Sequence, residues 1–286
     1  MNFFNKRVHF YVLAAFASMP LMTGISLAQN AQLEQPISKE KEVVRAALDI
    51  GSGATKLKVA KVNLDENKID EVLAVENFSV QYQESLLNSK DNMFTEEIMR
   101  QGIDAIQKAK EIAMQHGAEK VVAVATASFR SGQNADAFIE RIYKETGVKV
   151  HIIDQELEGI LNFEAATAQV DIPKEDLIVW DIGGGSYQFT TLDQDGNIMV
   201  FRGTDASVPF RNHVITHIKR QDLPDTTKPN PTSPKQMSMT ELKAREIAEK
   251  VDAAFREKID HSNSKVVGVG NIFTYNIKPI CKNAIY

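Results

Sequence analysis

Two short stretches of the chain join an aspartate to glycines at the same spacing. Residues 48–57 read LDIGSGATKL and residues 180–189 read WDIGGGSYQF. Asp49 matches Asp181, Gly51 matches Gly183 and Gly53 matches Gly185. The chemistry this pattern suits is the holding of phosphate. Glycines let the backbone take positive φ and let amides approach a ligand closely. Successive amides can form a concave nest for phosphate oxygens. Gly51, Gly183, Gly184 and Gly185 are therefore the expected cradle, and Ser52 and Ser186 add hydroxyl donors. Asp49 and Asp181 would repel phosphate directly, which predicts a divalent cation between acid and ligand, held through water. A single turn of this kind reads as a tight hairpin with a solvated acid. Two copies in matching contexts favour phosphate. Neither copy is a P-loop, because no Gly-Lys-Ser/Thr follows. Neither is a dinucleotide fingerprint, because a strand rather than a helix follows each turn.

Such turns need strands on both sides. VVRAALDIG and KLKVAKVNL flank the first, and IDEVLAVENFSV continues as a third strand after the acidic turn DENK. The second copy echoes this, with LDQDGNI where the first has LDENKI. Each unit reads strand, glycine turn, strand, acidic turn, strand. This repeat predicts two related domains that each offer one hairpin loop to a shared cleft. Between the copies, residues 95–116 have helical signals: Thr95 as cap, Glu96 and Glu97 in the first turn, Gly117 at the end. KVVAVAT is a buried strand, Asn134 caps a helix that Gly147 ends, KVHIID is a strand, and a helix starts near Glu156. LIVWDI is an apolar run of central-strand type. A long loop is expected over 221–237, a helix over about 239–259 and a late strand at KVVGVG. Strands alternating with helices give the α/β class. The domains are expected over 44–154 and 155–286.

The 286 residues are 43% hydrophobic and carry a net charge of −5, which excludes a disordered composition and an electrostatic footprint for nucleic acid. Residues 1–28 read as a signal peptide: Lys6 and Arg7, an apolar run loosened by Pro20 and Gly24, then Ser26-Leu27-Ala28. The alternative is a membrane anchor. Cleavage is preferred, which predicts export to a bacterial periplasm with no stable membrane span left. Residues 29–43 form a polar leading segment. The single cysteine, Cys281, excludes an internal disulfide. His213 and His217 lie at i, i+4, yet no third ligand is evident, so they read as structural or surface residues. A homodimer is carried as an expectation.

With these residues in place, the sequence resembles the exopolyphosphatase/guanosine pentaphosphate phosphohydrolase (Ppx/GppA) family, of the actin-like superfamily. The carriers are ALDIGSGATKL, ATASFRSGQNADAF at 125–138, IIDQELEG at 152–159 and DIGGGSYQF, in that order. The resemblance implies two actin-like, ribonuclease H-like domains around a cleft. It also implies hydrolysis of terminal phosphoanhydrides with Mg²⁺. It places the catalytic glutamate at Glu158, where a carboxylate can orient and deprotonate a water. Arg130 follows a strand and can bind phosphate oxygens bidentately. Three departures stand out. The second loop runs Ser186-Tyr187-Gln188 where the family has Ser-Thr-Glu, so an amide stands where a carboxylate that helps metal or water is usual. Gly53-Ala54 replaces Asn-Ser. The chain ends where members usually continue for some tens of residues, so a second domain short at its C-terminal side is expected. The expected activity is an exported phosphoanhydride hydrolase acting on polyphosphate or a polyphosphorylated nucleotide such as guanosine pentaphosphate. The alternative is a catalytically weak phosphate or polyphosphate-binding protein on the same fold.

Overall fold

The computed structural model describes residues 42–65, 68–223, 229–261, 263–270 and 272–273. The signal peptide, nearly all of the leading segment and Cys281 lie outside the described residues. Strands β1 (Glu42–Ile50), β2 (Ala54–Asn63), β3 (Lys68–Ser79), β4 (Lys120–Ala125) and β5 (Val150–Ile152) build one sheet in the order β3-β2-β1-β4-β5. The first three run antiparallel and the last two join in parallel. A second sheet repeats the plan with β6 (Leu177–Ile182), β7 (Tyr187–Leu192), β8 (Ile198–Gly203) and β9 (Lys265–Val269), in the order β8-β7-β6-β9. The repeat extends to register. Asp49 pairs with Lys56 across β1–β2, and Asp181 pairs with Gln188 across β6–β7. Both glycine turns thus sit at the same corner of equivalent sheets, as the internal repeat predicts.

The first sheet packs against α2 (Glu96–Gln115) and α4 (Ala135–Thr146). Ile98, Ile103, Ile106, Ala109 and Ala113 form the buried stripe of α2, as their helical spacing requires. Thr95 caps it by accepting from the Ile98 amide. Four aromatic rings, Tyr82, Phe94, Phe129 and Phe138, meet in this core with centroids 4.9–6.3 Å apart. Tyr82 lies on the short α1 (Tyr82–Asn88), where its hydroxyl pairs with the Thr55 hydroxyl at 2.9 Å. Phe129 lies on α3 (Ala127–Ser131) and is 2% exposed. Its anchoring fixes the orientation of the next residue, Arg130. Neither short helix is legible in the sequence, because one or two turns of helix carry too little periodicity.

Two expectations need correction. Asn134 precedes α4, but its side chain makes no capping bond. It accepts from the Phe94 amide and donates to the Phe94 carbonyl instead, which ties α4 to the segment before α2. After the short α6 (Ser207–His213), the helix expected over 239–259 is two helices, α7 (Pro234–Glu249) and α8 (Ala253–Asp260). Pro234 starts α7 inside the stretch read as loop, where Ser233 accepts from the Gln236 amide. Asp252 precedes α8 in extended conformation and breaks the run. Among the described residues, no helix is long and apolar enough to cross a membrane.

Candidate active site

The two glycine turns close in the same way. The Gly51 amide donates to Ala54 O and the Gly183 amide to Ser186 O, both at 2.9 Å. Those two amides are therefore used within the hairpins. The amides of Ser52, Gly53, Gly184 and Gly185 donate to no described backbone group and are the ones open to an anion. None of the turn glycines has positive φ. At Gly184 and Gly185, close approach is what demands glycine. A Cβ on Gly184 would lie 2.6 Å from Ser52 Cβ, and one on Gly185 would lie 2.7 Å from Gln83 Oε1. The turns of the two sheets are in contact, each limiting the other's side chains. Gly184→Ala is expected to destabilise the chain by about 1–3 kcal/mol through overpacking. The same variant should weaken orthophosphate binding, and thermal melting with calorimetric titration checks both effects.

Beside this contact sit the two candidate catalytic residues. Helix α5 (Gln155–Thr167) starts at Asp154, whose carboxylate accepts from the Leu157 amide at 2.7 Å. Glu158 lies in its first turn and points toward α3. Arg130 Nη1 donates to Glu158 Oε2 at 2.9 Å and to Ile153 O at 2.8 Å, and Nη2 donates to Ser186 Oγ at 3.0 Å. One guanidinium therefore links the candidate base, the end of the first domain and the second glycine turn. Gln188 is 1% exposed, and its Nε2 donates to Glu158 Oε2 at 3.3 Å. Its Oε1 is buried with no partner among the described residues. That orphan acceptor beside Glu158 fits a water between the two side chains.

The acidic residues occupy the cavity floor. Lys56 Nζ donates to Asp49 Oδ2 at 3.0 Å, and Asn162 Nδ2 donates to Asp181 Oδ2 at 2.9 Å. Burial first, then the Asp181 charge, pushes the Glu158 carboxyl well above the usual carboxylate range, against the pull of Arg130. Burial also raises Asp181, with the Asp49 charge adding to it and Lys56 opposing. Lys56 is raised, chiefly by Asp49. Four carboxylates, those of Asp49, Glu84, Glu158 and Asp181, thus line one cavity of about 510 Å³ with two lysines. This suits a hydrated divalent cation beside Asp49 and Asp181. No group of three or more His, Cys, Asp or Glu side chains that could hold a metal ion occurs among the described residues.

Gln188→Glu would put a second carboxylate against Glu158. Like charge raises Glu158 further. The acid limb of any pH–rate profile should then move up by roughly one pH unit or more, and initial rates across pH check it.

A model of the Ppx/GppA phosphatase family matches residues 59–201, half of the chain. The chain belongs to this family. A bifunctional 3-dehydroquinate synthase/phosphatase of Fusobacterium nucleatum is 27% identical over 188 residues, covering 60% of this chain and 28% of that protein. Exopolyphosphatase 1 of Mycobacterium tuberculosis is 29% identical over 124 residues, covering 43% and 33%. The chain spans about a third or less of the length of these curated relatives. An exopolyphosphatase from Cytophaga hutchinsonii shares the fold at TM-score 0.64 and 21% identity, covering 85% of this chain and 72% of that one. A Ppx/GppA family member from Aquifex aeolicus does so at TM-score 0.60 and 21% identity, covering 83% and 71%. The family's two-domain actin-like fold is thereby established for this member.

The sequence-predicted residues converge: Asp49, Ser52, Glu158, Asp181, Gly183 and Ser186 all line the one cavity, and Arg130 reaches Glu158 and Ser186 behind it. Lys56 and Asn162 were not among the expected site residues. Each had a signal. Lys56 lies opposite Asp49 in a hairpin of obvious register, and Asn162 follows Glu158 at i+4 on one helix face. His213 and His217 stack with centroids 4.6 Å apart, away from this cavity, against α7.

Proposed function

We propose that this family member is a phosphoanhydride hydrolase that releases the terminal phosphoryl group of inorganic polyphosphate or of a polyphosphorylated nucleotide such as guanosine pentaphosphate. The observation that carries this reading is the Arg130 bridge. It holds a buried carboxylate of raised proton affinity beside the contact of two glycine turns. The names of relatives support the substrate class, exopolyphosphatase 1 among them. So does a guanosine-5'-triphosphate,3'-diphosphate pyrophosphatase of Photobacterium profundum, 31% identical over 121 residues.

In this reading the open amides of both turns and the hydroxyls of Ser52 and Ser186 hold the terminal phosphoryl oxygens. Arg130, behind the cavity, holds Glu158 and Ser186 in position. Glu158 and Gln188 position a water, and Glu158 takes its proton as the new O–P bond forms. The bridging P–O bond breaks, and its electron pair leaves on the shortened chain. A proton affinity raised toward neutrality suits a base at this step, since efficiency peaks near the working pH. Asp49 and Asp181 would hold Mg²⁺ through water, and when bound it would supply charge neutralisation of the phosphoryl oxygens. The signal peptide features of residues 1–28 support action after export, and N-terminal sequencing of the periplasmic form tests that step.

One observation favours the rival binding-protein reading: Gln188 offers an amide where the resembling family offers a second acid. Orthophosphate release from long-chain polyphosphate, with and without Mg²⁺, separates the two. The hydrolase reading expects Mg²⁺-dependent release. Tight binding by the folded chain with no release favours the rival.

A further inference from the structure

A second pocket, of about 280 Å³, opens away from the cleft, where α6 runs on into a π-helical turn, Val214–Ile218. Such turns are rare and frequently lie at functional sites. Val214 and Ile215 are buried, while His213 and His217 line the pocket. The two imidazole rings lie nearly parallel, with 10° between their planes and centroids 4.6 Å apart. The hydrogen bonds fix which nitrogen of His217 carries the proton. Thr216 Oγ1 donates its single proton to Asn212 O at 2.9 Å, so it can only accept from His217 Nδ1, 2.8 Å away. His217 therefore holds its proton on Nδ1 and presents a lone pair at Nε2. A ring held by one nitrogen so that the other is basic is the usual arrangement of a metal-binding imidazole. His213 is neutral near pH 7 as well. Burial first, then the His217 and Lys243 charges, lower its pKa, against Glu246 and Asp205.

The facing wall comes from α7, which brings Met239, Lys243 and Glu246 to the same pocket. Lys243 Nζ and Glu246 Oε2 pair at 3.2 Å, so the ammonium and the carboxylate offset each other there. Met239 is 40% exposed, and its unbranched thioether can turn toward the rings. Two imidazoles and a thioether are the donor set that suits copper. Divalent copper leads its series in affinity for nitrogen ligands, and thioether sulfur selects the reduced ion. Oxygen-seeking Mg²⁺ is poorly served by such donors, so this pocket differs in chemistry from the acids of the cleft. We infer that His213, His217 and Met239 form a copper site that joins the π-helical turn to α7, with water completing the coordination. The inference does not depend on the proposed function.

The test is titration of the full chain, without an affinity tag, with Cu²⁺, followed by calorimetry and electron paramagnetic resonance. The copper signal should be split by imidazole nitrogens. His217→Ala, at an exposed position, should abolish that splitting and weaken Cu²⁺ by more than about tenfold. Thr216→Val keeps both rings but removes the acceptor that orients His217, and should weaken Cu²⁺ about tenfold, the usual cost of losing an outer partner. Met239→Leu should leave Cu²⁺ nearly unchanged and weaken Cu⁺, measured by competition with a Cu⁺-specific chelator. Thermal melting shows that each variant is folded, and Thr216→Val carries the test if His217→Ala is not. Copper bound with the same affinity and spectrum by wild type and the folded variants overturns the site. A wild-type signal without nitrogen splitting overturns it too. Cu⁺ affinity unchanged in Met239→Leu overturns the part given to the thioether.

Discussion

Glu158→Gln is expected to lower phosphate release about 10²–10⁴-fold, the usual contribution of a positioned general base. The amide keeps the shape of the side chain and can still accept from Arg130 Nη1, so the turns should stay in place. Two further readouts mark the loss as chemical rather than structural. Polyphosphate affinity should change little, because Glu158 bonds to Arg130 and Gln188 rather than to the open amides. Stability should also change with pH in a defined direction. Glu158 has a higher proton affinity in the folded chain than in the unfolded one, chiefly from burial. Its contribution to stability is fully present below the unfolded carboxylate range and is lost as pH rises through the raised folded value. The variant lacks this loss, so its melting temperature relative to the wild type should rise as pH goes from acid to alkaline. Each tenfold difference in proton affinity corresponds to about 1.4 kcal/mol. The same raised value should place the acid limb of the wild-type pH–rate profile above that of an ordinary glutamate.

Arg130→Met should be the most damaging single change. The guanidinium makes three bonds of 2.8–3.0 Å, to Ile153 O, Glu158 and Ser186. Its side chain and that of Glu158 are 19% and 15% exposed, so this is a largely buried pair. Removing one partner of such a pair typically costs about 3–5 kcal/mol, because the other is left buried without compensation. Loss of the fork that positions Glu158 and Ser186 adds a fall in rate of about 10²-fold. Arg130→Lys should recover part of the stability but little of the rate, since an ammonium cannot span Ser186 and Glu158 as a planar fork does. Chemical denaturation and initial rates on the two variants check the separation.

Much of this was legible in the sequence, for identifiable reasons. The repeated Asp-Ile-Gly turns announced two equivalent hairpins, and the matching register of Asp49 with Lys56 and Asp181 with Gln188 bears that out. The stripe of α2 followed from helical periodicity, and β6 from a short apolar run bounded by turns. The purpose of the glycines did not. Positive φ was expected beside close approach to a ligand, whereas Gly184 and Gly185 leave room for side chains of the first domain, Gly184 through a contact between residues about 130 apart that no local pattern reveals. Asn134 shows the same limit: its type suits a cap, but a tertiary partner, the Phe94 backbone, took the side chain.

The central claim is that Glu158 directs a water onto the end of a polyphosphate chain. Its most direct test is the folded wild-type chain acting on long-chain polyphosphate in ¹⁸O-labelled water with Mg²⁺, with the released orthophosphate analysed by mass. Orthophosphate carrying a single solvent-derived oxygen should be released progressively from chain ends, and Glu158→Gln should lose that release. Undiminished release by that variant would contradict the role of Glu158. Bound but unreleased polyphosphate in the wild type would contradict hydrolysis itself.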